Sequence, residues 1–325
     1  MRPIVVADHT WAGGWRTAEE VLAAKHRLRP AAEVVRVSGT LLPGLRDHHV
    51  HLGLVDRQTL GDSALDAVDD LGWTLEQALD WQQSGLRGRR VRIAGPFLTA
   101  PGGYPTGRVW APPDAVVGLE SPARGDETVR RLAAAGVDLI KVALHTGLPL
   151  LGDDELRAVV QTAHRLDLPV TVHVEGLGQA ARAAAVGADA LAHTPWTERL
   201  SVELITTMAA RMTWITTLAI HADDEEASDI ALDNLTRFHA AGGRVRYGTD
   251  MGNGPRPLGL DPSELAGLAA AGLDPMSIMD SMATAEQQPG RVSWSPYAPP
   301  QTSTETVEWL TSVRRCPTTD LESAR

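Results

Sequence analysis

The chain has a single cysteine, Cys316. No intrachain disulfide can form, a reducing and hence cytoplasmic setting is expected, and any metal ligands must come from His, Asp, Glu or Lys. Lysine is nearly as scarce: of 30 basic side chains only Lys25 and Lys141 are lysines, the rest being arginines. Long hydrophobic runs are missing. No stretch spans a bilayer, and the start lacks the basic-then-apolar pattern of a secretory signal, so no membrane partner is expected. Positive charge is in deficit. The net charge of −11 argues against nucleic acid or another polyanion as partner. No glycine-rich dinucleotide fingerprint follows an early strand, and no internal repeat of sequence is visible. What the chain does have is 325 residues with 43% apolar content, enough for one large domain with a full core.

Strand-like and helix-like patterns alternate beyond the first forty residues. Strands are expected at 40–51, 63–69, 91–98, 137–144, 170–174, 190–193, 213–220 and 245–249. Helices are expected at 73–84, 128–135, 153–166, 179–186, 201–211, 229–241, 262–271 and 275–284. Repeated units of this length imply parallel strands beneath helices, and eight of them in about 250 residues fit a (β/α)8 TIM barrel, whose site lies at the strand C-terminal ends. The fold class read from this pattern is α/β, with the barrel over 39–285 and a reduced small β-rich flanking domain from the termini. Residues 1–38 contribute two short strand-like runs, Ile4–Ala7 and Glu33–Val37. Residues 286–325 are rich in Pro, Ser and Thr and read as one helix near 304–313, no strands, and a mobile tail from Pro317.

The chemistry concentrates at the expected strand ends. The run Leu41-Leu42-Pro43-Gly44-Leu45-Arg46-Asp47-His48-His49-Val50-His51 delivers imidazoles at i and i+2, on one face of a strand. Two neutral imidazoles suit zinc and similar ions but are too few for a tight site. Lys141, His173, His193 and Asp250 stand at later strand ends, and all six converge if the strands close into a barrel. An arginine-rich chain also needs a reason for a lysine inside the apolar run around Lys141.

These motifs resemble the amidohydrolase superfamily, closest to the branch of imidazolonepropionase-like proteins and metal-dependent prolidases. The resemblance is carried by Pro-Gly-x-x-Asp-x-His-x-His at 43–51, Ile-Lys-Val at 140–142, His-x-Glu-Gly at 173–176, Ala-His-Thr at 192–194 and Gly-Thr-Asp at 248–250. Thr99-Ala100-Pro101-Gly102-Gly103 is similar to that branch's substrate-facing loop, and the likeness spans about 38–285. It implies two divalent metal ions, zinc first, with manganese and iron open. His49, His51 and Asp250 would hold one and His173 and His193 the other, with Lys141, N-carboxylated by CO2, bridging them. Carboxylation needs a neutral amine, which a buried lysine supplies and an arginine does not. The implied reaction is hydrolysis of an amide-type C–N bond in an N-acyl amino acid, dipeptide or cyclic amide. A metal-activated hydroxide would attack, with Asp250 as general base and then acid.

Three alternatives stay open: a mononuclear deaminase using His49, His51, His173 and Asp250 without Lys141; a lactonase or phosphotriesterase; and an inactive binding barrel. Candidates for substrate contacts are Tyr104, Arg108 and Trp110 in the loop 101–113, and His145, Trp196 and His221 after later strands. Arg108 is the candidate grip for a substrate carboxylate. Asp223–Glu226 reads as a solvated helix start favoured by the helix dipole. The chain departs from the family in its small flanks and in His48, where a small residue is usual. Homo-oligomer formation is left open.

Overall fold

The structure, a computed structural model, describes residues 4–28, 33–56, 63–252, 259–284 and 291–317. The chain opens with strands β1 (Ile4–Trp11), β2 (Trp15–Thr17) and β3 (Val34–Leu42), then enters β4 (Leu45–Val50), β5 (Leu65–Asp70) and β6 (Arg90–Ile93). It continues through β7 (Phe97–Thr99), β8 (Val116–Gly118), β9 (Ile140–His145), β10 (Val170–Glu175), β11 (Ala190–Leu191), β12 (Thr213–Ile215) and β13 (Arg244–Arg246). Two last strands, β14 (Arg291–Ser295) and β15 (Arg314–Pro317), complete it.

The architecture is mixed α/β. A seven-stranded sheet of order β13-β12-β11-β10-β9-β7-β8 is parallel throughout, and a three-stranded parallel sheet has the order β4-β5-β6. Backbone bonds tie the two sheets together on both sides. His48 N–H donates to Tyr247 O at 3.0 Å and His51 N–H to Met251 O at 2.7 Å, while Asp138 N–H donates to Ile93 O at 2.9 Å. Helices follow the strands, and their apolar faces pack on them: Val129 and Leu132 of the helix Pro122–Ala135 and Leu156, Val159 and Val160 of Asp153–Arg165 are all buried. No helix among the described residues is long and apolar enough to cross a membrane.

Several element boundaries differ from the sequence pattern for local reasons. The expected strand 40–51 is two strands in different sheets, because Pro43 has no N–H for a ladder and ends β3 just before β4 begins. The expected strand 91–98 breaks at Gly95, whose φ of 71° interrupts the extended chain. The helix expected from Thr128 starts at Pro122, since Ser121 caps it by accepting from Arg124 N–H at 3.3 Å and proline suits its first turn. Asp224 caps the helix Glu225–Ala240 in the same way, so the acidic run 223–226 is an exposed helix start. The strand expected over 213–220 stops at Ile215, followed by Thr217 in the left-handed region and a 3-10 turn Leu218–His221.

The C-terminal flank corrects the expectation of no strands there. A third sheet of order β15-β14-β3-β1-β2 draws strands from both termini, with β14 antiparallel to β3 and to β15. Trp294 Nε1–H donates to Ser38 O at 2.8 Å, and Thr40 Oγ1–H to Tyr297 O at 2.6 Å. Pro317 closes β15, and the tail after it lies outside the described residues. The flank is tied back to β5 by a buried ion pair between Arg315 Nε and Asp66 Oδ1, and Arg315 also donates to Gly88 O.

Removing one partner of a buried pair strands the other charge, at about 3–5 kcal/mol. Arg315→Ala should therefore lower unfolding free energy in urea by about that amount. Arg157→Ala, which removes only the exposed Arg157–Asp154 pair, should leave the urea midpoint in place. Equal midpoints for the two variants would contradict the role given to Arg315.

Candidate metal centre

The six strand-end residues meet around one cavity of about 480 Å3. His51, Lys141, His173, His193 and Asp250 line it, and His49 lies directly behind, its ring 4.6 Å from that of His193 and 5.1 Å from that of His51. His173 and His193 are edge to face at 4.9 Å. All six side chains are buried.

The tightest group is His49, His51 and Asp250. Asp250 Oδ1 lies 3.1 Å from His49 Nε2 and 3.2 Å from His51 Nε2, and the two nitrogens are 3.3 Å apart. The other nitrogens are committed: His49 Nδ1 lies 2.7 Å from Ala192 O and His51 Nδ1 3.3 Å from Gly72 O. A carbonyl only accepts, so each Nδ1 carries the proton and a neutral ring presents its Nε2 as a bare lone pair. Two lone pairs and a carboxylate oxygen then converge within hydrogen-bond distance of one another. A divalent cation fits that arrangement, and a carbonyl behind each ring is the usual support for a metal-ligating imidazole.

The backbone is shaped to hold this geometry. Asp47, fully buried, accepts from His49 N–H at 2.9 Å and from Thr249 Oγ1–H at 2.6 Å, locking β4 to the segment after β13. Gly248 is required by close approach, because a Cβ there would stand 2.3 Å from Ile215 and 3.0 Å from the His49 side chain. Asp250 and Thr217 both adopt left-handed φ, 54° and 51°. For β-branched Thr217 this is costly, and its hydroxyl lies 2.8 Å from His193 Nδ1. His48 points elsewhere, its Nδ1 being 3.0 Å from Asp69 Oδ2 beside Arg46 and Arg92, so it does not join the cluster.

Burial dominates the electrostatics. It pushes the Lys141 ammonium down to about 7, against the pull of Asp250 and Asp70, so a neutral amine is accessible. Burial, then the nearby Lys141 charge, lowers His49 to about 4, leaving it neutral at pH 7. His193 is pushed well below its ordinary value by burial and the neighbouring His49. Burial alone would raise Asp250, whereas His49 and His51, when their rings carry a second proton, hold the carboxyl well below its usual range.

Of the residues expected to contact substrate, Tyr104, Trp110, Trp196 and His221 line the cavity. His145 stands one layer out, its ring stacked 4.8 Å from Tyr104 at 12°. Arg108 is exposed and outside the wall, with its guanidinium 5.6 Å from the Tyr104 ring centre. Phe97, Leu54 and Glu175 also line the cavity. Glu175 follows His173 at i+2, the spacing that marks His49 and His51, but in a His-x-Glu-Gly turn that on its own discriminates little. The turn carrying His221 is held by Glu264 of the helix Pro262–Ala270, whose Oε2 accepts from Ala219 N–H at 2.8 Å. Burial pushes this carboxyl up to about 7, against the hydrogen bonds from Thr216, Ala219 and Leu218.

No protein-family model and no curated protein sequence matches the chain. Solved structures do. A Xaa-Pro dipeptidase with methionine bound in its active site superposes with a TM-score of 0.72 at 18% identity, over 95% of this chain and 96% of that one. The ochratoxinase of A. niger gives 0.74 at 17%, over 96% and 93%. Molinate hydrolase gives 0.68 at 15%, over 98% and 94%. The chain thus shares the mixed α/β fold of these proteins, a small β-rich flank included.

The unfolded Glu264 carboxyl titrates near its ordinary 4.5 and the folded one near 7, so across that interval the folded state keeps a proton the unfolded state has released. Its contribution is complete below about pH 4.5 and is lost as pH rises through about 7. Between about pH 5 and about pH 8, wild-type protein should lose more unfolding free energy than Glu264→Gln in urea titrations. Equal losses would place the titration elsewhere.

Proposed function

We propose that the chain is a metal-dependent hydrolase cleaving an amide-type C–N bond of a small molecule, on a closed (β/α)8 barrel whose ring is completed by the backbone bonds between β4 and the segment after β13. The observation that carries this reading is the convergence of His49 Nε2, His51 Nε2 and Asp250 Oδ1 within 3.1–3.3 Å of one another, with each ring's Nδ1 at a carbonyl. In this reading those three residues would hold one divalent ion, zinc first, and His173 and His193 the second. Lys141, whose neutral amine would take up CO2 with loss of a proton, would supply a further carboxylate ligand. Ions held there would supply a hydroxide at neutral pH and polarise the substrate carbonyl.

The protein's own groups do the rest. Asp250 would accept the proton of the attacking water and return it to the leaving nitrogen. The aromatic walls, Phe97, Tyr104, Trp110 and Trp196, exclude water and seat a planar or apolar substituent next to the scissile carbonyl. N-acyl amino acids, dipeptides and cyclic amides remain the substrate candidates, and with Arg108 outside the wall a carboxylate on them has no grip from that residue. The names of two structural neighbours, a Xaa-Pro dipeptidase and molinate hydrolase, support hydrolysis. The partner is a small molecule in a reducing, cytoplasmic setting, with neither nucleic acid nor membrane involved.

The compactness of the His49–His51–Asp250 group would also serve a one-metal deaminase, and Lys141 separates the two readings. Protein loaded with zinc and bicarbonate should release amine from members of an amide and cyclic-amide panel. Lys141→Met should lower that rate by at least about 100-fold, the scale expected when a two-metal site is broken. Near-wild-type hydrolysis by Lys141→Met would reject the bridge, and ammonia release from an aminated heterocycle by both proteins would favour the deaminase.

A further inference from the structure

We propose that Glu175 is a positioning residue, fixing which nitrogen of His173 faces the metal centre; this rests on reading His173 as a ligand. The strand register prepares the arrangement. Parallel pairing of β9 and β10 sets Thr171 beside Lys141, His173 beside Ala143 and Glu175 beside His145. Glu175 therefore leaves the barrel wall on the same face as His173, directly next to His145.

Its carboxylate meets both rings with one oxygen. Glu175 Oε2 accepts from His173 Nε2–H at 3.3 Å and lies 2.7 Å from His145 Nδ1, off the line of a hydrogen bond. A carboxylate only accepts, so the proton of His173 sits on Nε2 and the lone pair on Nδ1. His49 and His51 are held the other way round, with Nδ1 at a carbonyl and Nε2 facing Asp250. Tyr104 fixes the plane as Glu175 fixes the edge: its ring stacks at 5.1 Å and 21° on His173 and at 4.8 Å and 12° on His145. Tyr104 belongs to the loop over the cavity, so a single clamp joins the substrate wall to a metal ligand. Without the carboxylate, no other hydrogen-bond acceptor among the described residues decides between the two orientations of the His173 ring, and part of the population offers the protonated edge.

The test is a titration of metal-free protein with cobalt(II), followed by visible absorption and by competition with a chromophoric chelator. Wild type should take two equivalents. Glu175→Ala should weaken one of them by about 10–100-fold, the usual scale for losing a carboxylate behind a ligating histidine. It should also shift the absorption of the bound cobalt, and leave the other equivalent and the melting temperature of metal-free protein in place. Glu175→Gln keeps the volume and an acceptor oxygen, and should lose less than the alanine variant. Affinities within about twofold of wild type in both variants would overturn the proposal. So would a loss shared equally by both equivalents, which marks a general disturbance, or tighter binding, which marks a carboxylate competing with metal for the ring. A wild-type protein that binds no cobalt would instead remove the metal-centre reading itself.

Discussion

The constraint on which the rest depends is the forced meeting of three lone-pair donors. His49 Nε2, His51 Nε2 and Asp250 Oδ1 lie within 3.1–3.3 Å of one another in a buried site. With Nδ1 of each ring at a carbonyl, neutral imidazoles turn two lone pairs toward the Asp250 carboxylate, and gathering acceptors in a buried site is costly. The surroundings oppose any relaxation. Ala192 O and Gly72 O stand behind the rings, Asp47 bolts β4 to Thr249, and Gly248 lets His49 come close. Stability is spent on geometry here, and the left-handed φ of Asp250 and Thr217 fits the same pattern of strain gathered at a working site.

Parallel strands make such a meeting possible. Every strand of the central layers delivers its last side chains to the same end, so residues as distant in sequence as His49 and Asp250 become neighbours. The register of β9 against β10 repeats the device locally, pairing His145 with Glu175 two positions beyond Ala143 and His173. The third sheet has a different task. It gathers both ends of the described chain and anchors them to β5 through Arg315 and Asp66, away from the cavity.

Much of the centre was legible because polar residues at the ends of apolar strands are conspicuous. His49, His51, Lys141, His173, His193 and Asp250 each stood out against an apolar run, and Lys141 also by its rarity. The neighbourhood was less legible. Glu175 obeys the i+2 rule but sits in a turn that looked uninformative, and Arg108 occupies a promising loop yet faces solvent. Strand ends were misjudged where one residue overrides its neighbours, as Pro43, Gly95 and Thr217 do. The C-terminal strands left almost no signal. Arg314-Arg315-Cys316-Pro317 has no apolar alternation, and β15 is held by its ladder to β14 and by an ion pair spanning 249 positions. Such a contact has no local trace, since neither Arg315 nor Asp66 reveals its partner in sequence.

The most direct test of the account is the number of metal ions per chain, by elemental analysis of protein prepared with zinc and bicarbonate and freed of loose metal. The account predicts about two equivalents, the count of a two-metal site. One equivalent or fewer in well-folded protein would contradict it.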